Sequence, residues 1–274
     1  MQNWTWQTWQ GKPYLTCDLI SQPHGFFTSV FAPQTPEELT SALGTAVDVL
    51  RTKQVHGNVV LGPAAIKTAT KTLVASGTAT PTEEDIQRPP ADGCFSEQAG
   101  QATWVCTADC TPALIADNRT GQVAAAHAGW RGTAQKIVPV AISKLQAQGS
   151  QLKDLRVLLG PAIAGEVYQV GEDVAAQIGM SIVNTDISES AAKAAVVEQL
   201  LTMDNPPLLP DDKPGHVRLD VRRINEIQLE QMGLCPEQVA TAPHCTYQEP
   251  ERFFSYRRTQ LKQVQWSGIV SVQL

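Results

Sequence analysis

The sequence predicts an α+β protein, and three observations carry that class. Short apolar runs bounded by glycine or turn residues read as buried strands, among them Ala102–Thr107, Leu114–Asp117, Gln122–Ala126 and Arg156–Leu159. Capped helical segments are mixed among these strands without a strict βαβ rhythm. No Gly-x-Gly-x-x-Gly follows a strand and no P-loop signature is present, so a plain Rossmann fold or barrel fits poorly.

Taken in order, the elements have local causes. Thr35-Pro-Glu-Glu38 opens a short helix, with Thr35 as N-cap, Pro36 at the first helical position and Glu38 completing a capping box. Gly44 closes it. A strand through Val47–Val55 then delivers His56. Residues 62–92, rich in Ala, Thr and Pro, read as a long surface excursion that can cover a pocket. Leu114–Asp117 and Gln122–Ala126 flank an Asn118-Arg-Thr-Gly121 turn. Thr133–Gln148 carries apolar residues at helical spacing, and Pro139 inside it predicts a kink. Gly171-Glu-Asp173 opens a helix through Val174 and Ile178, stopped by Gly179. Pro206–Pro214 is a proline-rich loop. Asp220 caps a last helix with Val221, Ile224 and Ile227 inward and Gly233 at its end.

Composition narrows the function classes. The 274 residues, 42% hydrophobic and 18% charged, are enough for one large core or two intimately packed halves. A net charge of −6 with no Lys/Arg run argues against a nucleic-acid binder. No apolar stretch approaches the ~20 residues of a membrane helix. The start lacks a basic and an apolar region of a signal peptide, so a cytoplasmic protein is expected. Its six cysteines then read as buried thiols or ligands rather than a disulfide framework.

The chemistry concentrates around Val123-Ala-Ala-Ala-His-Ala-Gly-Trp-Arg-Gly-Thr133. A buried strand ends in His127, and a Gly-Trp-Arg-Gly turn presents Arg131 just before the next helix. A cationic corner at the end of a buried strand is where α/β proteins build sites, though a tight turn with a capping Arg has the same signature. Thr52-Lys-Gln-Val-His-Gly57 sets Gln54 and His56 on one face if the segment is a strand. Thr107-Ala-Asp-Cys-Thr-Pro112 places Asp109 and Cys110 where a strand must end, because Pro112 cannot extend it centrally. His56, Cys110 and His127 are thus three metal-type ligands at strand termini. Their spacing alone does not say that they converge.

Several motifs occur together in order: Gln-Val-His-Gly (54–57), Ala-Asp-Gly (91–93), Thr-Ala-Asp-Cys-x-Pro (107–112) and Ala-His-Ala-Gly-Trp-Arg-Gly-Thr (126–133). Gly-Pro-x-Ile (160–163), Tyr-Gln-Val-Gly (168–171) and Phe-Phe-Ser-Tyr-Arg-Arg (253–258) follow. From His24-Gly-Phe-Phe-Thr28 to the C-terminus, the chain resembles the YfiH-like family, known as laccase-domain or multicopper polyphenol oxidase proteins and as purine nucleoside phosphorylases. The resemblance implies a layered α/β/β/α sandwich with two mixed sheets and a single catalytic domain over 1–274. It implies His56, Cys110 and His127 as zinc ligands, and phosphorolysis of adenosine, inosine, guanosine and methylthioadenosine with adenosine deamination beside it. Nucleoside and phosphate are the partners it implies.

The residues make physical sense of that implication. Three protein ligands with one open position are the pattern of a catalytic zinc. Copper binds such a set too, as an adventitious occupant. Five histidines, however, cannot hold the several copper centres of a true multicopper oxidase. Arg131 is placed to clamp phosphate, since a guanidinium fork and a helix N-terminus both favour anions. Asp109 can transfer a proton or hold a ribose hydroxyl, or merely cap its turn. Gln54 can orient substrate or bond to a ligand, or be an ordinary half-buried strand amide. Arg257 and Cys245 can contact substrate, and Tyr256, Arg257 and Arg258 can equally tie the C-terminal segment to the fold. Trp130 reads as core or pocket wall, Cys106 as a buried thiol and His216 as a surface loop residue. Ser29 stands where the family often has an arginine, and Ala162 where a cysteine is common. The first departure shifts any phosphate contact onto Arg131 or the 257–258 pair.

Two other readings stay open beside the phosphorylase. One is a cysteine-type hydrolase using Cys110 and a histidine base, since members of this family have also been named peptidoglycan editing factors. The other is a non-enzymatic binding or redox module, against which the intact His56, Cys110, His127 and Arg131 argue.

Overall fold

The computed structural model describes residues 3–44, 48–72, 86–183 and 189–274. Along the chain these form β1 (Trp4–Trp9), β2 (Lys12–Cys17), β3 (His24–Phe27), α1 (Pro36–Leu39), β4 (Asp48–Leu50), β5 (Val60–Leu61) and α2 (Pro63–Ala69). There follow β6 (Lys71–Thr72), β7 (Ile86–Gln87), β8 (Gly93–Phe95), β9 (Gln101–Thr107), β10 (Thr111–Asp117), β11 (Val123–Ala128), α3 (Trp130–Ala134) and α4 (Ile137–Ala147). The last third comprises β12 (Leu155–Leu159), β13 (Gln169–Gly171), α5 (Glu172–Gly179), α6 (Glu189–Leu201), β14 (Leu208–Pro210), β15 (His216–Leu219), α7 (Val221–Met232), β16 (Val239–Thr241), α8 (Tyr256–Thr259) and β17 (Gln265–Val270).

Two six-stranded sheets dominate. The first runs β1-β2-β3-β17-β9-β4 and the second β16-β12-β10-β11-β8-β5. Both are mixed: β4 is parallel to β9, β12 to β16 and β5 to β8, while the other pairs are antiparallel. The sheets stack face to face through Leu15, Phe26, Val105 and Ile269 of the first and Leu114, Ala116, Val123, Ala125 and Leu158 of the second. The opposite face of the second sheet, with Ala113, Ile115, Ala124, Ala126 and Val157, packs on Ile137, Ala141, Ile142 and Leu145 of α4 and Leu229 of α7. The outer face of the first sheet meets Phe31, Leu39 and Leu43 around α1. The expected α/β/β/α layering is therefore present. Alternation explains why β10 is apolar at nearly every position: its odd residues face helices and its even ones face the other sheet. A three-stranded sheet, β13-β15-β14, carries α5 and α6 as a satellite core against α7.

Several helix expectations hold in detail. The Thr35 capping box is formed, and Asp220 accepts hydrogen bonds from the Arg222 and Arg223 N–H groups at the head of α7. Gly233 ends α7 in the left-handed region at φ 99°. Four expectations need correction. The segment before His56 is not one strand: β4 covers only Asp48–Leu50, Lys53 makes an isolated bridge to Pro90, and His56 sits in a bend at φ 62°. Val47 lies outside the described residues. Gly129-Trp-Arg-Gly132 is the start of the helix α3 rather than a turn, and Lys136 at φ 58° breaks the chain before α4. Pro139 thereby falls in the first turn of α4, where its missing N–H has no partner to lose, so it does not kink the helix. The strand before Asp109 and Cys110 does end at Thr107, as expected, and Pro112 stands as the second residue of the next strand, β10, where its carbonyl accepts from the Gly160 N–H.

The 62–92 excursion is the fourth correction, though 73–85, Pro81 among them, lie outside the described residues. Its first part forms α2 and its end is core: Ala91 and Asp92 are fully buried, and β8 follows at once. A sequence rich in Thr and Pro masked one buried turn.

Candidate metal centre and anion site

The connections between the sheets build the site. His56 lies on the crossing from β4 of the first sheet to β5 of the second, and Cys110 on the crossing from β9 to β10. His127 is the penultimate residue of β11. The ligand atoms of His56, Cys110 and His127 all lie within 4.8 Å of one another, and the imidazoles meet edge to face at 4.8 Å between centroids. His127 is buried, Cys110 half-buried and His56 exposed, so the triad is open on the His56 side.

Each ligand is held by its own support. Asp92, fully buried, stands with Oδ1 2.9 Å from His127 Nδ1 and accepts from the N–H groups of His56 at 2.8 Å and Gly57 at 2.7 Å. A carboxylate on Nδ1 leaves Nε2 to face the ligand centre, the usual arrangement behind a metal-bound histidine. Gly129 makes room for sulfur: a Cβ there would lie 2.8 Å from Cys110 Sγ and 3.5 Å from His56 Cδ2. Two imidazoles, one thiolate and a carboxylate behind one ring suit a zinc-type ion with one position left for substrate or water.

The electrostatics agree with that donor set. Burial pushes the Cys110 thiol up, but the His127 charge and hydrogen bonds from both imidazoles outweigh it and bring it down to about 6. Burial pushes His127 down, and the Cys110 thiolate and Asp92 overcome it, raising His127 to about 9. Asp92 is held below the usual carboxylate range: desolvation opposes this, and His127 with the backbone N–H groups of Gly57 and Val55 outweigh it. Cys106, expected to be a buried thiol, is half-buried, and desolvation still pushes it up to about 12.

The remaining candidates fall into two groups. Arg131 is exposed and lies over the Trp130 ring at 4.3 Å; its carbonyl accepts from the Gln135 side-chain amide at 3.2 Å, while its guanidinium makes no hydrogen bond or ion pair among the described residues. Its helix has only five residues, too few for a large dipole, so anion attraction here rests on the guanidinium. Arg257 lies over the Tyr168 ring at 4.7 Å and donates to the Gln169 carbonyl. Tyr168 is pushed up to about 12, first by burial, and it feels the charges of Cys110, Arg257, Asp109 and Arg131. Tyr168 is therefore within electrostatic reach of the Cys110 thiol, both arginines and Asp109.

The second group is committed to the fold. Asp109, at φ 87°, accepts from the Thr246 hydroxyl and the Arg257 N–H, both at 2.7 Å. Gln54 clasps the Cys106 backbone, accepting from its N–H at 2.8 Å and donating to its carbonyl at 2.7 Å. Cys245 is buried, with Sγ 3.3 Å from the Ala164 N–H. Arg258 donates to the carbonyls of Thr246, Tyr247 and Phe253, tying the C-terminal segment down. Asp92, Gly129 and Tyr168 are the residues that sequence reasoning missed. All three stand inside motifs quoted above, which was the available signal.

Comparisons with known proteins are concordant. A family model described as multi-copper polyphenol oxidoreductase laccase matches residues 33–270. A purine nucleoside phosphorylase of Synechocystis sp. is 53% identical over 273 residues, covering 98% of this chain and 97% of the relative. The adenosine deaminase RL5 of an unknown prokaryotic organism is 27% identical over 176 residues, or 64% of this chain and 60% of its own length. Among solved structures, YlmD from Geobacillus stearothermophilus superposes with a TM-score of 0.73 at 21% identity, covering 98% of this chain and 99% of that one.

Proposed function

The chain belongs to the multi-copper polyphenol oxidoreductase laccase family, and from that premise we propose that it is a zinc-dependent purine nucleoside phosphorylase with adenosine deamination as a second activity. The observation that carries the reading is the convergence of His56, Cys110 and His127, with the uncommitted guanidinium of Arg131 four residues beyond His127 in the chain. The 53% identical relative named purine nucleoside phosphorylase supports the reaction class. The relative named adenosine deaminase supports the second activity. Adenosine, inosine, guanosine and methylthioadenosine are the substrates in this reading, and the whole of 1–274 acts as one catalytic domain.

His56, Cys110 and His127 would hold the zinc, which would supply Lewis acidity there when bound. Arg131 takes up phosphate, for a planar guanidinium matches phosphate oxygens bidentately. Trp130 beneath it fixes the plane of that fork. Tyr168 stays protonated throughout the working pH range, so it can only donate to a ligand oxygen or accept through its lone pairs. Asp109 holds the Cys110 turn to Thr246 and Arg257, and a carboxylate with about four acceptor positions retains room for a ribose hydroxyl. Gln54 acts by fixing Cys106 and hence the approach to the Cys110 turn.

A laccase-like oxidation is disfavoured on ligand count. Among the described residues one group of three metal-type ligands occurs, and His24 is occupied at both nitrogens by the Cys17 N–H and the Gln22 carbonyl. One observation favours a different second reading. Without metal, Cys110 at about 6 beside His127 at about 9 is an activated thiolate, as a cysteine-type hydrolase acting on peptidoglycan precursors needs.

The deciding experiment is turnover of adenosine and inosine by the metal-loaded protein, with and without phosphate, repeated on His127→Ala. Phosphate-dependent release of free base and ribose 1-phosphate, lost in the variant and on chelation, is the expected result. Absence of product from either nucleoside would overturn the proposal, and an activity that survives chelation would favour the thiolate.

A further inference from the structure

We propose that Asp92 is a positioning residue for the whole metal centre: one carboxylate sets both the backbone bend that presents His56 and the ring orientation of His127. The inference rests on the metal-centre reading above and adds a residue to it.

The contacts are asymmetric in a telling way. Oδ1 takes the His56 N–H at 2.8 Å and stands 2.9 Å from His127 Nδ1. Oδ2 takes the Gly57 N–H at 2.7 Å, and the Val55 N–H lies 3.1–3.2 Å from both oxygens. Three successive N–H groups pointing at one anion form a nest, the backbone's own anion cup. His56 is at its centre and sits at φ 62°, a conformation that side-chain-bearing residues adopt only when something over-determines it. The fully buried carboxylate supplies that constraint. Remove it, and the bend loses its anion while three N–H groups lose their partner.

Asp92 is itself rigidly placed. Its N–H donates to the Val59 carbonyl at 3.0 Å and its own carbonyl accepts the His127 N–H at 2.7 Å. The Thr52 hydroxyl donates to the neighbouring Ala91 carbonyl at 2.7 Å. At Gly93 a Cβ would stand 3.0 Å from Val60 and 3.1 Å from the Ala125 carbonyl, so β8 lies hard against β11. A ligand on a crossing between the sheets and a ligand on a strand are thereby referenced to one fixed point. A side chain that merely closed a turn would not also need to reach the His127 ring.

The test uses metal-stripped full-length protein. Zinc dissociation constants are measured by competition with a chromogenic chelator, and the visible spectrum is recorded after cobalt(II) loading, for the wild type, Asp92→Asn, Asp92→Glu and Thr52→Ala. Thr52→Ala loosens the same segment without touching a ligand. Asp92→Asn and Asp92→Glu are expected to weaken zinc by about 10- to 100-fold and to alter the cobalt bands, with Thr52→Ala within about twofold of wild type. Binding by both Asp92 variants within about twofold of wild type would overturn the proposal. So would equal weakening by Thr52→Ala, or failure of both Asp92 variants to fold, for then Asp92 serves the fold alone. A wild type that binds no zinc overturns the metal-centre reading itself, which separates the two failures.

Discussion

Gly129→Ala isolates the geometry of the sulfur ligand. Gly129 has φ −70° and ψ 167°, an extended conformation open to any residue, so alanine adds no backbone strain. What it lacks is room. The new Cβ would lie 2.8 Å from Cys110 Sγ, whereas ordinary heavy-atom contact begins near ~3.5 Å, so sulfur must retreat by about 0.7 Å. Retreat is resisted on both sides. His56 Cδ2 is 3.5 Å from the same point, and the turn that carries Cys110 is pinned through Asp109 to Thr246 and Arg257. Metal–sulfur distances tolerate about 0.2 Å around ~2.3 Å. A displacement several times that tolerance should weaken zinc at least tenfold and lower kcat/KM for phosphorolysis by about 100-fold. Overpacking should remove about 1–3 kcal/mol of stability while leaving the protein folded. Metal content by atomic emission, chelator competition, steady-state kinetics and thermal melting measure the three effects separately. A variant with a full zinc complement, wild-type affinity and kcat/KM within twofold would refute the placement of Cys110 Sγ against Gly129.

Three further predictions follow from the same geometry. Arg131→Ala should raise the KM for phosphate about 10- to 100-fold, the worth of a hydrogen-bonded charge, with little change for the nucleoside; an unchanged phosphate KM would remove Arg131 from the site. In metal-stripped protein, alkylation of Cys110 followed by peptide mapping should rise with a midpoint near pH 6, and zinc should block it; a midpoint near the ordinary ~8.5 would refute the thiolate–imidazolium pair. The sign of its stability effect is fixed by both partners. The pair is lost below about 6 as the thiolate protonates and above about 9 as His127 loses its proton, so the metal-free protein should gain stability from it only between those values. Finally, Asp220→Ala removes two capping hydrogen bonds on α7 and should cost about 1 kcal/mol, read as a melting temperature lowered by about 2 °C with kinetics unchanged; no shift would mean the cap contributes nothing.

How legible each residue was depended on whether its cause is local. Thr35, Asp220 and Gly233 work through bonds to neighbours a few positions away, so their roles could be read directly. Pro139 misled because proline's penalty depends on where an element begins, and Lys136 in the left-handed region moved that boundary. Asp92 was hidden for a different reason. It follows a stretch whose composition reads as surface, and a buried carboxylate is intelligible only once its three N–H donors and His127 are known to surround it.

Local sequence was enough for the mixture of strands and helices, the helix caps and the apolar strands of the core, and it supplied two histidines, a cysteine and Arg131 as side chains of the right kind, with their grouping implied only by the family resemblance. Those follow from periodicity, capping chemistry and side-chain inventory, each legible within a short window. Only the tertiary structure decided that His56 and Cys110 ride on crossings between the two sheets and so meet His127. It alone showed that Asp109 and Gln54 bond to the segments around the Cys110 turn, and that Gly129 leaves space for sulfur. Convergence of residues dozens of positions apart is set by how two sheets pack, and no local pattern encodes that distance.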